Sequence, residues 1–218
     1  MRTIGFFKID FARCRLQYVY LIVIGCVSLY LAMLRETAAL SLLYMIFGTI
    51  VLSTVPFSLD QTSESGFINM LPGTTKQRVA GRFLFSLGLL VLSIVIGGID
   101  VLLIYLMKGT IIPYQLAIFM GGAGLGLLVS ALQNILFYSL GKVRSVQVMG
   151  IIRMIPGFVL FFGITLYLES LGNNLEAALK TVLENANIIG LGLLVLGVVV
   201  FLLAIPISTA IIKNRDYA

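Results

Sequence analysis

Few side chains in this sequence are of types that carry out chemistry, and their spacing limits what that chemistry could be. Histidine is absent, and the two cysteines, Cys14 and Cys26, lie twelve residues apart in one predicted helical stretch. They cannot bridge each other if that helix is straight. Neither a Cys/His zinc site nor a Ser-His-Asp or Cys-His nucleophile system can be assembled from this inventory. We therefore predict no catalytic site and no metal site in this chain.

The sequence also lacks a nucleotide-binding loop. Gly141-Lys142 is not followed by Ser or Thr, and the glycine cluster at 121–126 lies in an apolar run without the Lys and Ser or Thr of a Walker motif. Close helix packing through Gly122 and Gly126 is the better interpretation of that cluster. If ATP drives this protein, the ATPase is a separate chain.

Three polar residues inside apolar runs are candidates for a transport path: Asp100, Gln133 and Asn134. A carboxylate in lipid is unfavourable, so Asp100 should face the bundle interior, a cavity or a partner subunit. The alternative is that it reaches the outer interface or is protonated. Gln133 and Asn134 are adjacent and point in different directions, so we expect one of them to hydrogen-bond to a neighbouring helix.

The elements that must position these residues are membrane-spanning helices. The chain of 218 residues is 60% hydrophobic and 11% charged, and its mean hydropathy is +1.09. A soluble domain has an apolar content of roughly 45–50%. The long uncharged runs can each cross a hydrocarbon core about 30 Å thick. The sequence therefore predicts an all-α integral membrane protein in which residues 1–218 form a single transmembrane domain, with none left for a soluble catalytic domain.

Six transmembrane helices are predicted, and six crossings place both termini on one side. The spans are Tyr18–Leu34, Ala38–Ser58, Phe83–Met107, Tyr114–Leu140, Met149–Leu168 and Ile188–Ile212. Twelve of the fifteen basic residues lie in the terminal segments, in the loops after spans two and four, or close to them. By the positive-inside rule we predict a multi-pass plasma-membrane protein with both termini in the cytoplasm. We interpret the net charge of +6 as this basic excess and not as a nucleic-acid footprint.

Two further segments are predicted to form amphipathic helices. Residues 1–15 place apolar side chains on one helical face and most basic ones elsewhere, as an interfacial helix does. Phe6 and Ile9 fall on the other side, which leaves room for a second apolar contact, with protein. Residues 169–187 carry an apolar stripe and are expected on the outer membrane surface or folded over the bundle. An ordinary capped loop helix is an equal alternative for that segment.

The longest polar interruption is the loop 59–82, between the second and third spans. Its first part favours a short helix with acidic residues at the start and apolar ones after them, ended by Pro72-Gly73. Thr74 and Gln77 fit a capping box, so a second helix begins there and continues into the third span. The residues that we assign to a partner surface in this loop are Asp60, Glu64, Phe67, Ile68, Leu71, Lys76, Arg78 and Arg82.

The apolar side chains of this loop are the reason for expecting a partner. Phe67, Ile68 and Leu71 would be unfavourable in water, and flanked by charges of both signs they suit a groove on another protein. The alternative is a solvated connector between two spans.

This layout resembles the short permease subunits of ABC-2 type exporters. The sequence similarity is concentrated in Glu64-Ser65-Gly66-Phe67 and from Leu71-Pro72 through Arg82-Phe83-Leu84. Thr74-Thr75-Lys76 stands where that family's pattern has a Ser-Arg pair. The resemblance implies that the loop 59–82 is a coupling helix that seats on a cytoplasmic ATPase subunit.

The resemblance also implies an assembly and a function. Two permease subunits, identical or homologous, would work with two ATPases that bind ATP and Mg, while this chain binds no cofactor. Nucleotide binding would move both coupling loops and tilt the helices around a path between the subunits, exporting an amphipathic or hydrophobic peptide, lipid or drug. The alternative is a membrane scaffold or immunity-type protein that binds a toxic peptide without pumping it. An intramembrane enzyme is disfavoured, because histidine and paired intramembrane carboxylates are absent.

Overall fold

The computed structural model describes residues 3–35, 48–59, 72–109, 116–140 and 184–216, together with positions 114, 148 and 151. Within these residues all regular secondary structure is helical, in agreement with the predicted all-α class. The helices are α1 (Thr3–Arg13), α2 (Arg15–Arg35), α3 (Val55–Leu59), α4 (Thr75–Lys108), α5 (Leu116–Leu140) and α6 (Ala186–Asp216). Residues 48–52 are also helical and lead through a turn into α3.

Three of the described helices, α4, α5 and α6, are long and apolar enough to cross a membrane. They coincide with the predicted third, fourth and sixth spans. A fourth crossing results if α1 and α2, which meet at a bend of 68°, count as one broken span. The first predicted span falls within α2, and the second is described only from Gly48. The fifth, Met149–Leu168, and most of the outer segment 169–187 lie outside the described residues.

The helix α4 begins where the sequence predicts a capping box. The Thr74 side chain accepts a hydrogen bond from the backbone N–H of Gln77 at 3.3 Å, and the Gln77 side chain accepts one from the backbone N–H of Thr74 at 3.1 Å. The predicted box is therefore confirmed. At the other end Gly109 adopts a left-handed conformation with φ 68° and closes the last turn. Between these caps α4 runs for about 51 Å without a break.

The helices around α4 run in alternating directions. Leu21 of α2 packs with Phe85 and Leu89 of α4 in one buried cluster, and further along both helices Ser28 bonds to Asp100, so α2 and α4 are parallel. The segment 48–59 is antiparallel to α4, since Thr49 meets Ser93 and Phe57 meets Arg82.

The helices α5 and α6 are parallel and approach very closely. A Cβ atom placed on Gly190 would lie 2.7 Å from the carbonyl oxygen of Ala117, and one on Gly197 would lie 2.5 Å from that of Gly124. Small residues at these points let the two backbones touch, as in other membrane helix pairs. The 121–126 cluster does pack closely on α6, but the contacts observed are made by Gly121 and Gly124, where the sequence predicted Gly122 and Gly126.

The N-terminal helix α1 is fixed to α4 by an apolar contact. Phe6 is buried, and a Cβ atom on Gly81 of α4 would lie 2.6 Å from the Phe6 Cβ. The same phenylalanine ring covers Gly73 just before α4. On the far side of α1, Ile4 and Phe11 are exposed. The second apolar contact expected on the Phe6 side is therefore a contact with protein.

Candidate functional site

Buried polar side chains follow one face of α4. Arg82, Ser86, Ser93 and Asp100 are all buried. At 3.6 residues per turn their directions differ by at most about 40°, and the first and last lie about 27 Å apart along the helix axis. That length is close to the hydrocarbon thickness of about 30 Å. We call these four residues the α4 polar stripe, and each of them bonds to a different neighbouring segment or residue.

At the end of the stripe nearest the loop 59–82, which we call the loop end, Arg82 forms a buried ion pair with Asp10 of α1. The Arg82 Nε atom lies 3.3 Å from the Asp10 Oδ2 atom, and the two residues are 8% and 4% exposed. The guanidinium carbon also lies 4.5 Å from the centroid of the Phe57 ring. Phe57 stacks in turn on Phe137 of α5, with ring centroids 4.6 Å apart. Arg82 therefore joins α1, α3 and α4 at one point.

In the other half of the α4 polar stripe, Ser93 and Asp100 bond to hydroxyl groups of neighbouring segments. The hydroxyls of Ser93 and Thr49 are hydrogen-bonded to each other. Near the far end of α4, the Ser28 hydroxyl lies 3.1 Å from the Asp100 Oδ2 atom and 2.8 Å from the carbonyl oxygen of Gly25, so it has two acceptors within reach. Asp100 is buried inside the bundle and does not reach its outer surface. The expectation that this carboxylate faces the bundle interior is confirmed.

The two adjacent amides of α5 bond to different segments. Ser53 donates to the Gln133 Oε1 atom at 3.2 Å. The Asn134 Nδ2 atom donates to the carbonyl oxygen of Ser130 at 2.8 Å and to the Ser86 hydroxyl at 3.4 Å. Both amides thus reach a neighbour, where the sequence predicted that one would. Among the described residues, the Gln133 Nε2 and Asn134 Oδ1 atoms are buried without a hydrogen-bond partner.

The structure separates the residues that the sequence assigned to one partner surface. Lys76 is exposed and Arg78 half-buried, whereas Arg82 is buried in its contacts with Asp10 and Phe57. The remaining members lie outside the described residues: Asp60, Glu64, Phe67, Ile68 and Leu71. Lys76 is thus exposed at the loop end, whereas Arg82 is engaged within the chain.

Several partners of the stripe were not identified from the sequence. Asp10 is the only acidic residue among the first fifteen, and on α4 Ser86, Ser93 and Asp100 recur at intervals of seven. Both patterns are signals of a buried polar face in an otherwise apolar helix. The other partners of the stripe, Ser28 and Thr49, lie in apolar runs and carry no such signal, and the same holds for Ser53, the partner of Gln133.

The chemistry available in this arrangement is hydrogen bonding and charge pairing between helices. Within the described part of the chain, no group of three or more His, Cys, Asp or Glu residues could hold a metal ion. Hydroxyl and amide groups exchange hydrogen bonds between alternative partners when helices shift, at a small net change in free energy. The α4 polar stripe is therefore suited to holding helices in defined relative positions.

A family model described as ABC-2 family transporter protein matches residues 6–213. No curated protein and no solved structure matches the chain.

Proposed function

The chain belongs to the ABC-2 transporter permease family, and we propose that it is the membrane-spanning subunit of an ATP-binding cassette exporter. The observation that carries this proposal is the family match, which extends over residues 6–213 and so includes nearly all of the chain. Members of this family are membrane transport components that work with an ABC ATPase. The proposal adds the outward direction of transport and the way in which this chain is coupled to its ATPase.

We propose six spans, and the direction of the helices supports that number. The sequence of directions in α2, the segment 48–59, α4 and α5 alternates, as successive crossings require. By contrast, α5 and α6 are parallel, because Ala117 lies opposite Gly190 and Gly124 opposite Gly197. Two parallel spans need an odd number of crossings between them. The apolar run Met149–Leu168 is long enough to supply one.

The loop 59–82 is proposed to seat on the ATPase, with α4 as the element that carries its motion into the membrane. The capped start of α4 lies inside this loop, and the helix continues for about 51 Å. Lys76 and Arg78 lie on its first turn and follow, in the sequence, the apolar residues that are assigned to the ATPase surface. Arg82 has a different proposed role. Its ion pair with Asp10 links α1 to α4, so that α1 moves when α4 moves.

The transport cycle follows from this linkage. Two copies of the chain, or this chain and a homologue, flank the path, and ATP and Mg bind to the partner ATPases. When the ATPases close, both loops move and α4 tilts with α1. Asp100, Gln133 and Asn134 are proposed to serve the translocation path, either by lining it or by exchanging bonds as the helices move. The proposed substrate is an amphipathic or hydrophobic peptide, lipid or drug.

The coupling proposal is tested by a change in the loop itself. The chain is reconstituted with its ATPase in vesicles, and the double variant Glu64→Lys with Phe67→Ala is compared with the parent for ATP hydrolysis and substrate transport. We expect normal membrane insertion, ATP hydrolysis that continues, and transport reduced by about tenfold or more, the equivalent of roughly 1.4 kcal/mol or more of coupling. Glu176→Lys is the matched charge-reversal control outside the loop.

Two results would contradict the proposal. If the double variant transports as well as the Glu176→Lys control, the loop is not the coupling element. If no ATPase is recovered with the chain in mild detergent, the non-pumping scaffold becomes the better interpretation, because a scaffold requires no ATPase.

A further inference from the structure

An apolar groove lies between α4, α5 and α6. It has a volume of about 460 Å³, and the described side chains that line it are all apolar; they include Ala80, Phe83, Leu87, Leu127, Phe201 and Ile205. The lining stretches of α4 and α6 each extend about 11 Å along the helix axis. The groove is thus an elongated slot near the loop end of the bundle.

The rim of the groove faces away from the protein. Leu84 and Leu202, one on each wall, are 39% and 60% exposed. In a membrane-spanning chain an exposed apolar surface of this kind faces lipid, and the molecules available to fill a slot there are acyl chains. A chain that enters the slot gains dispersion contacts along two helices, where an empty slot would have none.

Each of the two walls carries a lysine on the same helical face as the groove. Lys76 precedes Ala80 by four residues and Leu87 by eleven, which places all three on one stripe of α4. Lys213 follows Leu202 by eleven residues, so the two point in directions within about 20° of each other on α6. Both lysines are exposed.

The two lysines also lie beyond the same end of the groove. The helix α5 runs parallel to the segment 48–59, because Ser53 meets Gln133 and Phe57 meets Phe137. Since α6 is parallel to α5 and the segment 48–59 is antiparallel to α4, α6 is antiparallel to α4, and the start of α4 and the end of α6 are neighbours. Lys76 lies about 6 Å beyond Ala80 and Lys213 about 12 Å beyond Ile205, measured along the helix axes. The apolar slot is therefore followed, at the depth expected of a lipid headgroup, by one ammonium group on each side.

We propose that this groove and its two lysines bind one anionic phospholipid, with an acyl chain in the slot and the headgroup between Lys76 and Lys213. Basic residues that flank an apolar cleft between membrane helices attract negatively charged headgroups, and each lysine near the surface contributes to the attraction. The site needs the membrane location of α4, α5 and α6. It does not depend on the direction of transport.

The test measures lipid binding directly. The purified full chain in detergent is titrated with phosphatidylglycerol or with phosphatidylcholine of the same acyl chains, and bound lipid is counted by native mass spectrometry. We expect Lys76→Gln with Lys213→Gln to weaken phosphatidylglycerol binding roughly thirtyfold and to leave phosphatidylcholine binding unchanged. Ala80→Phe, which fills the slot, should weaken the binding of both lipids.

The control for lost charge is Lys8→Gln with Arg15→Gln, two exposed basic residues outside the groove. The double variant Lys8→Gln with Arg15→Gln should bind phosphatidylglycerol as tightly as the parent does. The proposal is overturned if the parent binds both lipids equally, if the Lys76 and Lys213 variant matches the control, or if Ala80→Phe retains lipid as the parent does. Size-exclusion elution of each variant establishes that it is folded.

Discussion

Arg82 lies at the point where the loop 59–82 continues into a membrane helix, and its contacts determine its role. Its guanidinium group is held by the Asp10 carboxylate and covered by the Phe57 ring. Burying two charges is unfavourable in itself, and the pair persists because each charge compensates the other. A residue held in this way is suited to transmitting motion between helices of its own chain.

Removing the carboxylate partner of Arg82 should destabilise the protein. We expect Asp10→Ala to lower the free energy of unfolding by about 3–5 kcal/mol, because a charge then stays buried without its counter-charge. Asp10→Ala combined with Arg82→Leu should recover part of that loss. Lys8→Ala, an exposed change on the same helix, is the control. Denaturant unfolding in detergent micelles provides the measurement, and equal curves for Asp10→Ala and Lys8→Ala would show that the ion pair contributes little.

For Asp100, also at the residue scale, the question is whether the carboxylate serves stability or transport. The Ser28 hydroxyl has the Gly25 carbonyl as a second acceptor, so it does not require the Asp100 carboxylate. A buried acid in an apolar bundle is unfavourable for stability and is usually retained for function. This argument favours a role for Asp100 in transport.

One substitution distinguishes the contribution of Asp100 to stability from its contribution to transport. Asp100→Leu should leave the unfolding midpoint unchanged or higher, and lower transport by about tenfold, roughly 1.4 kcal/mol in the barrier. Asp100→Asn keeps the shape without the charge and shows whether the charge matters. Unchanged transport in Asp100→Leu would remove this residue from the mechanism.

At the scale of helices, glycine contacts determine how α5 and α6 pack. A side chain on Gly124 would overlap the backbone of Leu193, whereas one on Gly192 would meet nothing within 4 Å. Both glycines lie inside helices, so their helix propensities are the same and only the packing differs. A comparison of substitutions at Gly124 and Gly192 therefore isolates the contribution of close packing to stability.

Alanine at these two positions should have opposite effects. We expect Gly124→Ala to lower the free energy of unfolding by about 1–3 kcal/mol through overpacking. Gly192→Ala should raise it by roughly 0.5–1 kcal/mol, because alanine loses less backbone entropy in a helix. Unfolding by denaturant in detergent measures both variants. Equal effects would mean that α5 and α6 do not pack as closely in the membrane.

At the scale of the whole molecule, the parallel direction of α5 and α6 restricts the topology. With an odd number of crossings between them, the segment before α6 and the end of α5 lie on opposite sides of the membrane. This restriction comes from helix contacts alone and does not use the distribution of basic residues. The proposed six-span arrangement, with one crossing between α5 and α6, satisfies this restriction.

Single-cysteine labelling checks this arrangement. In a background with Cys14→Ser and Cys26→Ser, we expect Asn174→Cys to react with a membrane-impermeant maleimide in intact cells, because the segment 169–187 is predicted outside. Lys142→Cys should react only after the cells are opened. Labelling of both from outside, or of neither, would contradict the six-span topology.

The sequence by itself determined the elements and much of their placement. Long apolar runs predicted the membrane helices, the hydroxyl of Thr74 with the amide of Gln77 predicted the start of α4, and the Phe6 side of α1 was open to a contact with protein. These properties depend on neighbours within a few residues along the chain, where helical periodicity and capping are determined. The layout of the predicted spans, together with Glu64-Ser65-Gly66-Phe67 and the stretch from Leu71-Pro72 through Arg82-Phe83-Leu84, carried the resemblance to the family that the match over residues 6–213 shows.

Only the tertiary structure decided which polar residues meet. The pairing of Arg82 with Asp10, and of Asp100 with Ser28, joins positions 72 residues apart in the sequence. Periodicity shows that a side chain lies on a given face, but not which helix covers that face. Which glycines of α5 contact α6 depends on how two separate helices pack, and the groove between α4, α5 and α6 depends on three. For that physical reason no local pattern predicts either of them.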